Sequence, residues 1–170
     1  MEKFLMTPEG RLALEQKLLY LTSEERHKII KDIEEARAHG DISENSEYED
    51  AKERQAMCEG IIQDIEAKLS RCEVIDVTKL RGHDLDDEDE EKQIVFGATV
   101  VLEDEDENEK TFRIVGTDES DIGKGWISYL TPVAKALLGK VPGDDVVIKL
   151  PTKTVEYEVI SVSYTAHLEQ

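Results

Sequence analysis

The sequence predicts an α+β protein: a long antiparallel coiled-coil hairpin, then a small antiparallel sheet carrying one short helix. Three observations carry this expectation. Apolar residues recur at helical spacing through the first 75 positions, with a break at Gly40. An acidic stretch from Gly82 to Lys92 then holds almost nothing apolar. Beyond Ile94 the pattern changes to short runs rich in Val, Ile and aromatics, separated by turn residues.

Thr7-Pro8-Glu9 reads as a helix start, with a capping hydroxyl, a proline in the first turn and an acid at the positive end of the helix dipole. Leu14, Leu18 and Leu21 line one face; after a shift of phase the stripe resumes at Ile29, Ile33 and Ala36. One helix from Pro8 to Arg37 would run about 45 Å at 1.5 Å per residue. Gly40 ends it, as glycine does at helix C-termini. Asp41-Ile-Ser-Glu-Asn45 restarts a helix whose seam is Tyr48, Ala51, Gln55, Cys58, Ile62, Ile65, Leu69 and Cys72. The alternating spacings of 3 and 4 are those of a helix packed along a partner. Two long helices joined by a few residues lie antiparallel, so residues 40–44 form the hairpin tip.

Five strands are expected in the second half: Val95–Leu102, Thr111–Val115, Trp126–Ser128, Val146–Leu150 and Val155–Tyr164. Thr131-Pro132 opens a short helix over Val133–Leu138, ended by Gly139. The expected organisation is a hairpin over 1–80, an acidic linker over 81–93 and a sheet domain over 94–170.

The net charge of -19 argues against broad contact with free DNA, which needs clustered Lys and Arg. A basic protein partner is easier to accommodate, and an acidic surface speeds encounter with one. Cys58 and Cys72, 14 positions apart on one predicted helix, cannot bridge within the chain and fit a reducing compartment. No signal peptide opens the sequence and no apolar run approaches a membrane span, so the expectation is a cytoplasmic protein without a membrane partner, acting as a monomer.

The four histidines show no metal-ligand spacing, and there is no phosphate-binding glycine loop. The candidate chemistry lies at the tip. Asp41 and Glu44 are three apart and share a face if the turn is helical. The same spacing is that of a capping box, which would satisfy the free amides of the second helix. Two carboxylates offer only part of the six-oxygen shell that Mg²⁺ requires, so as a metal site the tip would be half of a composite completed by a partner.

Ala36-Arg-Ala-His-Gly-Asp-Ile-Ser-Glu-Asn-Ser-Glu-Tyr48 resembles the tip motif of the Gre transcript-cleavage factors. Ile61–Ser70 and Val74–Val77 resemble the end of that family's coiled coil; Ile94–Val100, Phe112–Gly116 and Leu137–Lys140 resemble its C-terminal domain. The resemblance implies an FKBP-like C-terminal domain that docks on bacterial RNA polymerase, and a coiled coil that enters the polymerase secondary channel. It implies that Asp41 and Glu44 help hold Mg²⁺ shared with the polymerase active site, so that the polymerase itself cleaves the 3′ end of backtracked RNA. The free protein would not bind that Mg²⁺ tightly, and the factor would be an accessory protein rather than an enzyme.

By the same resemblance Arg37 and Lys52 contact the extruded RNA, Ser43, Asn45 and Tyr48 support the tip, and Leu130, Thr131 and Pro132 touch polymerase. Each has a plainer reading. Arg37 and Lys52 are also solvated helix charges, Tyr48 is also a seam residue, and Thr131-Pro132 starts a helix without any partner. Departures from the family pattern are His27, where a proline is common, Leu130, where a polar residue is common, and the long acidic linker. A channel-binding inhibitor of the same architecture is the alternative function. A prolyl isomerase is disfavoured by five Tyr, three Phe and one Trp in the whole chain. A plain coiled-coil protein would leave the tip acids as caps only.

Overall fold

The computed structural model describes residues 3–40, 45–78 and 92–164. The elements in chain order are β1 (Phe4–Met6), α1 (Pro8–Tyr20), a five-residue π-helical segment (Leu21–Glu25), α2 (Arg26–Ala38), α3 (Ser46–Arg71), β2 (Cys72–Val74), β3 (Thr99–Glu103), β4 (Glu109–Val115), β5 (Trp126–Ser128), α4 (Pro132–Leu137), β6 (Asp145–Lys149) and β7 (Thr154–Ser163). They fall into two compact units: Met1–Phe4 with Arg11–Cys72, and Leu5–Gly10 with Glu73–Gln170. The expected linker lies mostly outside the described residues.

The helical unit has a continuous apolar seam. Leu21, Ile29, Ile33, Ala51, Cys58, Ile62 and Ile65 are buried in one cluster, with Leu14, Leu18, Tyr48 and Leu69 packed at its margin. The first helix is not the single α-helix expected. Leu21 and Ile29 are eight residues apart, one more than a heptad, and the widened turn of Leu21–Glu25 absorbs the extra residue. In it the Arg26 amide reaches back five residues to the Leu21 carbonyl. The hydroxyls of Thr22 and Ser23 donate to the carbonyls of Leu18 and Leu19. The phase shift in the sequence is therefore a π-bulge, and both flanking helices keep their apolar faces on α3. Arg26 then binds Glu59 on α3 through two bonds, of 2.7 and 3.0 Å. Cys72 is not the last seam residue: α3 ends at Arg71 and the chain turns extended at Cys72.

The sheet unit curls a five-stranded sheet in the order β5-β4-β3-β7-β6. The pairs β3/β4, β3/β7 and β6/β7 are antiparallel, as expected, whereas β5 runs parallel to β4, which makes the sheet mixed. A long connection between β4 and β5 allows that direction: two short 3₁₀ turns, Thr117–Glu119 and Ile122–Lys124, carry the chain back before β5 begins. Ile160 is an extra residue in β7, where the register with β3 shifts. Val100, Leu102, Ile114, Val146, Ile148, Tyr157 and Val159 alternate onto one face, and Ala134 and Leu137 of α4 close over it. Residues 95–98, expected as strand, instead turn at Phe96-Gly97; Gly97 has φ +89, and an added Cβ would stand 3.1 Å from Val77.

Candidate functional site

Asp41, Ser43 and Glu44 lie outside the described residues, so the tip is known from the helix ends on either side. The last turn of α2 closes at His39, whose amide bonds the Ala36 carbonyl at 3.2 Å. Gly40 follows with φ +125, a conformation that a side chain would oppose.

The second helix does not start where the capping-box reading puts it. Its N-cap is Asn45, extended at φ -90 and ψ 96, and helical residues begin at Ser46. Asn45 Oδ1 accepts the Tyr48 amide at 3.1 Å, and its Nδ2 donates to the Ala36 carbonyl at 2.6 Å. One side chain thus satisfies an open donor of α3 and gives a second bond to the Ala36 carbonyl of α2, which also accepts the His39 amide. The N-cap of α3 is thus Asn45 and not Asp41, four positions earlier, and the Asp41–Glu44 pair itself lies outside the described residues.

Tyr48 is half-buried at the margin of the seam, as its packing reading expected, and the Arg37 guanidinium lies over its ring at 5.8 Å. Lys52 is exposed, with Nζ bonded to Gln55 on its own helix at 3.1 Å. The structure therefore brings Arg37, Asn45 and Tyr48 together and leaves Lys52 one turn further along α3.

In the sheet unit Leu130 is 53 % exposed, and Thr131 caps α4 by accepting the Ala134 amide, with Pro132 as its first residue. Thr131 also donates to the Ser128 carbonyl at 2.8 Å, so its side chain is fully engaged locally. Close by in sequence Ile122 is 93 % exposed, the most solvated large apolar residue described. In β4 Arg113 is only 3 % exposed, with its guanidinium over Trp126 at 5.3 Å. Lys124 lies over the same indole at 4.7 Å. Arg113 Nη2 stands 3.7 Å from Glu9, and its Nε has no partner among the described residues.

Sequence reasoning missed two features. Nothing local announced that Asn45 would hold α2 as well as α3, although a cap residue with a side-chain donor is a possible signal. Glu119 accepts the amide of Thr7 at 3.0 Å, the Thr7 hydroxyl and the Gly116 amide at 3.0 Å. The partners are too far apart in sequence for any motif to show this.

Fold and helix ends together define a two-part factor: an antiparallel helical hairpin closed by an asparagine, and a curled mixed sheet. The family model for the N-terminal domain of the transcription elongation factors GreA and GreB matches residues 4–74, and that for their C-terminal domain matches residues 88–164. The transcription elongation factor GreA of Beijerinckia indica subsp. indica is 48% identical over 165 residues, covering 96% of this chain and 99% of its own. GreA of Ruegeria pomeroyi is 48% identical over 166 residues, covering 97% and 100%. Among solved structures, GreA factor homolog 1 (Gfh1) of Thermus thermophilus is 26% identical with a TM-score of 0.41, covering 95% of this chain and 99% of that one. The chain belongs to the GreA/GreB family of transcription elongation factors.

Proposed function

We propose that this elongation factor binds RNA polymerase, places its helical hairpin in the secondary channel and stimulates cleavage of the 3′ end of backtracked RNA. The observation that supports this reading most is the start of α3. Asn45 supplies the N-cap of α3, so that role does not fall to Asp41 or Glu44, the two acids that precede it in sequence.

Carboxylates are suitable donors for Mg²⁺, and two of them leave most of its shell to be supplied by the polymerase. When bound in such a composite site, the ion supplies charge stabilisation to the oxygens that attack and leave in phosphodiester hydrolysis. Asp41 and Glu44 hold the negative charge that recruits it. They also accept hydrogen bonds from the attacking water and so orient it. Arg37, extended over Tyr48 with its guanidinium exposed to solvent, provides a cation for an RNA phosphate; Lys52 offers a second. Leu130, Thr131 and Pro132, with the solvated Ile122 nearby in sequence, are the proposed contacts of the sheet unit on polymerase. In this reading the chain is an accessory to the polymerase's own hydrolysis, acts as a monomer and works in the bacterial cytoplasm. No helix among the described residues is long and apolar enough to cross a membrane.

The test is RNA cleavage in a reconstituted backtracked elongation complex, titrated with the wild type, Asp41→Asn and Glu44→Gln. Faster release of short 3′ fragments by the wild type alone supports the reading. Wild-type rates from either variant remove that residue from the site. Slowed elongation without cleavage replaces the reading with a channel-binding inhibitor.

A further inference from the structure

α1 carries apolar side chains on two faces, and only one of them is covered. Leu14, Leu18 and Leu21 belong to the seam with α3, whereas Leu12 is 54 % exposed and Leu19 66 %. The uncovered pair has a definite phase. Counting back from the buried Ala36, Ile33 and Ile29 in alternating steps of 3 and 4, an unbroken helix would bring Arg26, Thr22, Leu19, Glu15 and Leu12 to the seam. The observed residues Leu21, Leu18 and Leu14 each stand one position before Thr22, Leu19 and Glu15, because the widened turn of Leu21–Glu25 holds one residue extra. The Tyr20 hydroxyl donates to Glu25 at 3.2 Å across this turn. Residues five apart lie about 140° apart around an α-helix and face one another only where the turn is widened.

We propose that α1 has two registers on α3, exchanged by moving the widened turn along the helix. One is the register observed, with Leu14, Leu18 and Leu21 in the seam. The other seats Leu12 and Leu19 there and absorbs the extra residue before Leu12. What covers the exposed leucines is thus α3 of the same chain. The observed register is the favoured one because it seats three leucines, while the other brings Glu15 and Thr22 into the seam beside two. The exchange is a one-residue step, about 1.5 Å along the axis and 100° around it. A partner that covers either face of α1 selects between the registers by as much as it prefers that face. The inference concerns α1 and α3 alone and stands apart from the cleavage-factor reading.

The experiment adds leucines where the second register needs them, Glu15→Leu with Thr22→Leu in the full chain, and reads which face is covered by thiol labelling. Leu19→Cys and Leu21→Cys are introduced one at a time, and peptide mass separates the new thiol from those of Cys58 and Cys72. In the otherwise native chain the Leu19→Cys thiol is expected to react roughly tenfold faster than the Leu21→Cys thiol, since Leu19 is exposed and Leu21 buried. With the two leucines added, the order inverts and helicity by circular dichroism is kept. Deleting Ser23 as well makes the observed seam regular, so the second register would need an irregularity of its own, and the native order returns.

An unchanged labelling order after the leucines are added overturns the inference. So does a loss of helicity in that variant, because α3 then does not hold the second face. An inverted order that persists without Ser23 overturns it as well, since the change of face would not depend on the widened turn.

Discussion

Thr7 gives both its backbone amide and its hydroxyl to the carboxylate of Glu119, 112 positions further along the chain. The same hydroxyl accepts the Gly10 amide at 3.1 Å, and the carboxylate also accepts the Gly116 amide. The first turn of α1 thus has two layers of acceptors: the Thr7 cap expected from the sequence, and a carboxylate brought to that cap by the 3₁₀ turn after β4. Negative charge is favourable there, because the free amides of a helix start carry partial positive charge.

Gly10 has to be glycine on this account. A Cβ built on it would lie 2.2 Å from the Glu119 carboxyl carbon. Gly10→Ala should therefore destabilise the sheet unit by about 1–3 kcal/mol, although alanine is the better helix former, because the carboxylate must leave its three donors. Glu119→Ala should cost a similar amount. The double variant should cost clearly less than the sum, since with Glu119 gone the added methyl meets nothing it displaces. Urea unfolding of the four proteins measures the coupling, and additive losses would show that Gly10 and Glu119 do not act through one another.

The sequence carried much of the helical unit. Seam residues Ala51, Cys58, Ile62 and Ile65 are buried as their spacing required, and the break in phase after Leu21 was visible before its cause. The cause itself was not readable, because a π-turn and a change of helix face leave the same spacing. The strand positions followed from runs of Val, Ile and aromatics, but the parallel direction of β5 depends on the path of the 3₁₀ turns and has no local pattern. At the tip, two acids at capping-box spacing pointed to a helix start at Asp41. The cap falls instead at Asn45, whose side chain accepts the Tyr48 amide and donates to the Ala36 carbonyl, a pairing that no local spacing announces.

The π-bulge makes a further prediction. Deleting Ser23 places Ile29 seven residues after Leu21 and restores a regular heptad, so α2 can keep its buried face on α3 as part of an unbroken α-helix. Stability should change by less than about 1 kcal/mol, since the loss of one side-chain bond is offset by regular turns. Deleting Lys31 instead rotates Ile33 and Ala36 away from the seam while Ile29 stays, and should cost about 2–5 kcal/mol. Circular dichroism during thermal unfolding separates the two deletions. Equal damage from both would mean that the bulge is not what absorbs the extra residue.

Cys58 makes the helical unit sensitive to alkali. Its thiol is pushed up from the ordinary value first by burial and then by the charges of Glu59 and Glu25, against the opposing charge of Arg26. The fold favours the protonated thiol, so its stabilising contribution is fully present below the ordinary thiol value of about 8.5 and is lost as pH rises through the folded value above it. The chemical-denaturation midpoint of the wild type should therefore fall between pH 8.5 and more alkaline conditions by more than that of Cys58→Ala. The variant starts lower at neutral pH by about 1 kcal/mol for the lost sulfur packing, and its curve is flatter. Thiol labelling gives an independent reading: at pH 8 the half-buried Cys72 should react readily, and Cys58 only at the rate at which the hairpin opens. Parallel pH curves for the two proteins would show that ionisation of Cys58 does not set the alkaline limit of the arm.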